Sequence, residues 1–332
     1  MTTVPFPLQR VHGGPDAFDT PRFDFSSNGN ACGPCPQALT AIRNADAGHY
    51  PDASYTALRM RLADFHGVDV RRVVLAASAS DFIYRITAMV AGRSKTTAPS
   101  VWLPQHSYGD YAYAAAAHGL SAAGNPLDAD LCWACEPSSP LGVAHDGWLS
   151  ADGAVRVIDL AYEPLRLNGT LTLPQSALSS FWQLYSPNKA MGLTGGRAAY
   201  AIAPVHAEKD ILAMQQLCAS WPLGAHGVAL LLAWTQPDAQ AWLAVSRDTL
   251  RDWKVQQLAV CESLAWTILP SDSNFFVCCP HKGADTLTTL RAHGIKLRDC
   301  TSFGLPGHVR MSVQPPVAQQ ALLDAWRKLS SA

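Results

Sequence analysis

The sequence holds little charge and gathers none of it in one place. Only 15% of its 332 residues are Asp, Glu, Lys or Arg, and the formal net charge at pH 7 is −1. Lys and Arg form no run, so the electrostatic footprint of a nucleic-acid or anionic-membrane binder is missing. Long apolar runs are missing too. The longest, such as Gly227–Trp234, fall far short of the ~20 residues that span a bilayer. The opening MTTVPFPLQRVHGG lacks the charged-then-apolar order of a secretory leader, and a cytoplasmic location is the expectation. No internal repeat and no low-complexity tract occurs.

Cysteine is present without forming a framework. The count is nine, an odd number, and a chain of this length does not depend on disulfide staples. Cys32/Cys35 and Cys132/Cys135 are Cys-x-x-Cys pairs, but ligands of a structural zinc normally lie closer in sequence than these two pairs do. The expectation is reduced thiols and no metal, with a thiolate metal protein as the alternative.

Hydrophobic residues make up 48% of the chain, enough for a sizeable core and for roughly two domains. Residues 1–35 are rich in Pro, Gly, Asn and Ser and read as an arm. Helical and strand patterns then alternate. Helices are expected over Pro36–Ala47, Tyr55–His66, Asp81–Ala91 and Tyr111–His118, and strands over Arg72–Ala76, Val101–Leu103, Asp130–Cys135, Val155–Asp159, residues 179–185 and Ala198–Ala203. Such alternation predicts an α/β domain over 36–210 with a mainly parallel sheet covered by helices. Ligands of these sheets bind beyond the carboxyl ends of the strands. From 211 to 332 longer helices (Ile211–Ser220, Gly224–Trp234, Asp238–Glu262) precede short strands at Asn274–Cys278, Ile295–Arg298 and His308–Val313, and a last helix covers Val317–Ser330. This part reads as a smaller α+β domain.

One segment carries chemistry: Tyr185-Ser-Pro-Asn-Lys-Ala-Met-Gly-Leu-Thr-Gly-Gly-Arg197. Amine catalysis needs a lysine whose neutral form is accessible. A phosphate needs a hydroxyl, backbone N–H groups and a fixed guanidinium. Ser186, Lys189 and Arg197 are the types of residue that supply these parts; a surface lysine beside an ion-paired arginine has the same spacing.

This segment resembles the Schiff-base segment of class I/II aminotransferases, in which Ser-x-x-Lys precedes a glycine-rich run and an arginine. The rest of the chain resembles that family in order. Asp159-Leu-Ala-Tyr162 is similar to its Asp-x-Ala-Tyr motif. His49-Tyr50-Pro51-Asp52 is similar to its Arg-Tyr-Pro-Asp segment, and Ser78-Ala79-Ser80-Asp81 stands where its phosphate-cradling loop opens a helix. Tyr108 matches the aromatic residue that stacks on the cofactor, while Asn274 and Arg310 match positions in the smaller domain.

The resemblance implies a three-layer α/β/α fold, pyridoxal 5′-phosphate (PLP) held as a Schiff base on Lys189, and a homodimer in which Tyr50 reaches the neighbouring subunit's phosphate. It further implies that Asp159 faces the pyridine nitrogen, Tyr162 the ring hydroxyl, and Arg310 the substrate carboxylate. Two departures stand out. Glu136-Pro-Ser-Ser-Pro-Leu-Gly142 replaces the family's Asn-Pro-x-Asn-Pro-x-Gly, so Ser139 stands where an asparagine normally donates to the ring oxygen. Ala79 stands where glycine is common.

Two subgroups come closest. Val-His12-Gly-Gly with Asp-Phe-Ser-Ser-Asn28-Gly-Asn30 resembles the threonine-phosphate decarboxylases of cobalamin biosynthesis. The Tyr-Pro-Asp and Gly-Leu-Pro-Gly stretches are shared with histidinol-phosphate aminotransferases. Both act on substrates bearing a phosphate, for which Arg298, His12 and Asn30 are the expected receptors. The implied function is that of a PLP-dependent transaminase or decarboxylase. A PLP-fold protein that has lost activity and serves as a binding module is the alternative raised by Glu136 and Ser139.

Overall fold

In the computed structural model, residues 11–93, 99–145, 153–282 and 284–331 are described. The first ten residues of the expected arm lie outside them. Along the first half run β1 (Phe23–Asp24), α1 (Pro36–Arg43), α2 (Thr56–His66), β2 (Val73–Ala76), α3 (Ala79–Arg93), β3 (Ser100–Trp102), α4 (Gly109–Ala117), β4 (Ser121–Ala122), β5 (Leu131–Cys135) and β6 (Val155–Asp159). There follow α5 (Gln175–Leu178), β7 (Trp182–Tyr185), β8 (Ala199–Ile202), α6 (Glu208–Gln216), α7 (Ala225–Trp234) and the long α8 (Pro237–Ser263). The last part holds β9 (Thr267–Ile268), β10 (Phe275–Cys279), α9 (Ala284–Ala292), β11 (Ile295–Lys296), β12 (Arg298–Asp299), β13 (Val309–Ser312) and α10 (Pro316–Ser331).

Seven strands form one sheet in the order β2-β8-β7-β6-β5-β3-β4. The pairings from β7 through β4 are parallel, while β8 runs antiparallel to both β2 and β7. Alternation along each strand sends side chains to opposite faces. Val74, Ala76, Trp133, Leu184 and Ala201 point to the layer built from α3, α4 and α6. Val73, Leu75, Tyr200 and Ile202 point to the layer holding α1, α2 and α7. The result is an α/β/α sandwich with the sheet buried on both sides, as parallel pairing requires.

A four-stranded antiparallel sheet, β12-β13-β10-β9, makes the second core with α8, α9 and α10. The arm is fastened to this unit: β1 pairs in parallel with β11, and Phe25 is fully buried in its core. Past residue 211, α7 still packs on α1, so the helical layer on the large sheet continues beyond that point before α8 crosses over.

The observed elements differ from the sequence reading mainly at their ends. α3 starts at Ala79 rather than Asp81 because Ser78 caps it: its Oγ accepts from the Asp81 N–H at 3.1 Å while Asp81 accepts from the Ala77 N–H at 2.9 Å. Residues 179–181 are not strand; pairing with β6 begins at Trp182. The single strand expected at Ile295–Arg298 is two, β11 facing the arm and β12 facing β13. Among the described residues no helix is long and apolar enough to cross a membrane.

Candidate active site

The carboxyl ends of β5, β6 and β7 and the N-termini of α3 and α4 converge on a cavity of about 570 Å³. The arm residues His12, Ser26 and Asn28 roof it on one side, and Arg298, Ser302, Phe303 and Arg310 of the second unit close another. Thirteen of the sixteen residues expected at the site line it: His12, Ser78, Ala79, Ser80, Tyr108, Ser139, Asp159, Tyr162, Ser186, Lys189, Arg197, Arg298 and Arg310.

Lys189 is partly buried, with Nζ 5.2 Å from the centre of the Tyr162 ring. It sits on a loop held from behind, since the Asn30 N–H donates to the Lys189 carbonyl at 2.9 Å and the Cys35 N–H to the Met191 carbonyl at 2.8 Å. Gly192 (φ +64°) is required here, because a Cβ would lie 2.3 Å from the Gly33 carbonyl oxygen.

Asp159 ends β6 and is 4% exposed. Its two oxygens accept from the Tyr111 hydroxyl at 2.7 Å and the Ala161 N–H at 2.9 Å. Burial pushes its carboxyl up from the ordinary value, against the opposing pull of the Lys189 ammonium and these two donors. A cationic partner in the cavity therefore suits this carboxylate. Tyr111 is itself buried and stacked on Trp133, with ring centres 4.4 Å apart.

At the phosphate end, Ser186 Oγ is buried without a hydrogen-bond partner. An orphaned hydroxyl in a cavity costs free energy unless a ligand satisfies it. Ser78 to Ser80 open α3, whose N-terminal N–H groups and dipole favour an anion, and Arg197 flanks them from the exposed rim. Ser80 Oγ and the Tyr108 hydroxyl both donate to Asp110, at 2.5 and 2.9 Å. Burial, seconded by the charge of Asp110, raises Tyr108 far above the usual phenol range. The orphaned hydroxyl, the helix N-terminus and the buried carboxylate fit a phosphorylated pyridine aldehyde, with Lys189 as the amine that meets the aldehyde.

Arg298 and Arg310 face each other in register across β12 and β13, 4% and 7% exposed. Arg310 donates to Ser139 Oγ at 3.0 Å and the Ser26 carbonyl at 3.1 Å, leaving Nε unpartnered. Arg298 donates to Ser302 Oγ and the Val11 carbonyl, each at 2.7 Å, and to the Asp299 carbonyl. Burial first, and then the charge of Arg310, pushes Arg298 down from its ordinary value. Among the described residues, neither guanidinium hydrogen-bonds a carboxylate.

Three expected site residues lie outside the cavity lining. Tyr50 is 79% exposed and stacks on Trp221. Asn30 is buried, with Nδ2 on the Ala190 carbonyl at 3.1 Å, so it supports the lysine loop instead of facing the cavity. Asn274 is fully buried and donates to the Asn28 and Gly29 carbonyls. Sequence reasoning missed Tyr111, Asn28, Asp110, Ser302 and Phe303. For Tyr111 a signal existed: it stands three residues after Tyr108 at a helix start, where such neighbours share a face. Among the described residues no three His, Cys, Asp or Glu side chains cluster to hold a metal.

Comparison with known proteins identifies the family and the fold. The sequence profile described as aminotransferase class I and II matches residues 151–328. Histidinol-phosphate aminotransferase 1 of Thiobacillus denitrificans is 27% identical over 343 residues, covering 92% of this chain and 85% of the relative. Histidinol-phosphate aminotransferase from Sinorhizobium meliloti, solved in complex with pyridoxal-5′-phosphate, is similar with a TM-score of 0.78 at 21% identity, covering 97% and 96% of the two chains. L-threonine-O-3-phosphate decarboxylase from Porphyromonas gingivalis is similar with a TM-score of 0.69 at 19% identity, covering 89% and 93%. At these identities the structural matches speak for the fold.

Proposed function

The chain belongs to the aminotransferase class I and II family, and from that membership we propose that it moves an amino group to or from a small substrate carrying a phosphate. It is an enzyme, and PLP is its cofactor. The observation that supports a phosphate-bearing substrate is the pair Arg298 and Arg310, both buried and both lining the cavity that holds Lys189. Burying a guanidinium costs several kcal/mol unless a counter-charge meets it. A single carboxylate leaves one of the two uncompensated; a phosphate dianion, or a phosphate with a carboxylate, satisfies both.

The residues divide the work as follows. Ser186, Ser78, the N–H groups at the start of α3 and Arg197 would hold the cofactor's phosphate. Tyr108 would pack against its ring, Asp159 would keep a proton on the pyridine nitrogen, and Tyr162 would donate to the ring oxygen. Bound there, PLP supplies an electron sink for the bond broken at the substrate α-carbon. Lys189 Nζ would take the proton from that carbon and deliver it to the carbon that the cofactor's aldehyde supplies. Arg310 and Arg298 would fix the substrate's anionic groups and so select which bond at the α-carbon is broken. The arm and the second unit exclude water over the amine.

Histidinol phosphate is the substrate named for the relative from Thiobacillus denitrificans, and we assign the same class here. The test is glutamate formation from histidinol phosphate and 2-oxoglutarate by the PLP-loaded protein. Carbon dioxide release from O-phosphothreonine with no amino transfer overturns it. That second reading has one observation in its favour: His12 lines the cavity on a strap that Arg298 ties down through the Val11 carbonyl. We also propose a homodimer, in which the exposed Tyr50 meets the partner's cofactor phosphate.

A further inference from the structure

We infer that Asn28 is a positioning residue for the contact with the cofactor's ring oxygen, and that it compensates for Ser139. Ser139 is shorter than an asparagine at that position, and its Oγ is held by Arg310, whose Nη1 donates to it at 3.0 Å in a buried setting. The longer amide donor that an asparagine supplies there is absent. Tyr162, beside Lys189 in the cavity lining, is the hydroxyl assigned to that contact, and Asn28 positions it, its Nδ2 donating to Tyr162 Oη at 3.4 Å.

The consequence is directional. Because Tyr162 Oη accepts from Asn28, its own proton is free to point into the cavity, and a donor behind a hydroxyl strengthens the bond that the hydroxyl makes in front. Asn28 is 4% exposed, and its Oδ1 is buried without a partner. Such a group is retained at a cost in free energy. Its backbone is fixed as well: Asn274, fully buried, donates from Nδ2 to the carbonyls of Asn28 and Gly29 at 3.3 and 3.2 Å. The chain of contacts runs from the second unit through the arm to the phenol. It also gives buried Asn274 a task outside the cavity lining.

The inference rests on the reading that PLP is bound at Lys189, and its test is a spectroscopic titration that does not require turnover. A donor at the ring oxygen draws charge onto that oxygen and loosens its hold on the proton it shares with the Lys189 nitrogen. Losing the donor raises the pH midpoint of the visible absorption change. The midpoint is measured for the holoenzyme, Asn28→Ala, the isosteric Asn28→Asp and the double variant Asn28→Ala/Ser139→Asn. An upward shift of about one pH unit is expected in both single variants, the size of one hydrogen bond to a charged group. A return toward the parent value is expected in the double variant. Asn28→Asp keeps the shape of the side chain and serves if Asn28→Ala does not fold. Midpoints equal to the parent's with the cofactor fully bound overturn the role of Asn28, and a raised midpoint that Ser139→Asn leaves in place overturns the compensation. Absence of any visible band in the parent protein overturns the PLP reading itself, a separate result.

Discussion

Asp159 and its partner show how single residues set the chemistry of the cavity. Burial raises the carboxyl of Asp159 from its ordinary value, while Lys189, Tyr111 and the Ala161 N–H each favour the ionised form. Tyr111→Phe removes the 2.7 Å bond and nothing else of comparable size. A bond to a charged group is worth about 1.5–3 kcal/mol, so PLP affinity should fall at least tenfold, read from a visible titration; unchanged affinity counts against Asp159 as the ring-nitrogen partner. At this scale much of the site is legible in the sequence. Ser186, Lys189 and Arg197 lie within twelve residues of each other, so local spacing carries their relation. Tyr111 and Asn28 were not read as site residues because their partners stand 48 and 134 positions away, and only the fold brings them together. Asn30 was read as a substrate receptor for its resemblance to a motif, but its carboxamide holds the Ala190 carbonyl.

Between elements, buried charge and buried imidazole do the joining. Glu136, where the family pattern has asparagine, is 2% exposed and accepts from Arg166 at 2.8 Å and from Thr172 through both N–H and hydroxyl. Arg166 also bonds Glu163 at 2.7 Å. The departure at 136 thus clamps the end of β5 to the segment after β6, which steadies the loop carrying Ser139. Replacing one partner strands the other, so Arg166→Met should cost about 3–5 kcal/mol in a urea titration; a loss below about 1 kcal/mol contradicts the clamp. The last turn of α2 carries a second such contact. His66 Nε2 lies 2.8 Å from the Tyr200 hydroxyl, and burial pushes the imidazole down to about 4. The unfolded chain binds that proton near pH 6.5. Between pH 6.5 and 4 the unfolded state therefore holds more protons, and stability falls as the pH drops, by up to about 1.4 kcal/mol per unit. His66→Gln should flatten this part of the acid limb, measured as the unfolding midpoint against pH; an unaltered slope assigns the acid sensitivity to other groups. Helix and strand identity were legible here from periodicity, whereas ends such as Ala79 and Trp182 depended on a cap and a pairing partner that periodicity does not report.

For the whole molecule, the cavity exists only because three parts of the chain meet. The sheet gives Asp159 and Lys189, the arm gives Asn28, and the antiparallel unit gives Arg298 and Arg310. The arm's attachment to that unit through β1 and β11 is a pairing between residues far apart in sequence, which the reading of 1–35 as an arm does not foresee. Tyr50, 79% exposed and stacked on Trp221 with ring centres 4.6 Å apart, marks the face we assign to the second subunit. Sedimentation should give twice the 35.6 kDa chain mass, and Tyr50→Ala should weaken PLP binding while leaving the dimer intact; a monomer with full cofactor affinity contradicts that assignment. The central claim concerns one amine. Reducing the PLP-loaded protein with borohydride fixes the cofactor wherever it is bonded, and peptide mass mapping then locates it. The account predicts the pyridoxyl-phosphate mass on the peptide containing Lys189, lost in Lys189→Ala. The same mass found on another lysine, or on none, would contradict it.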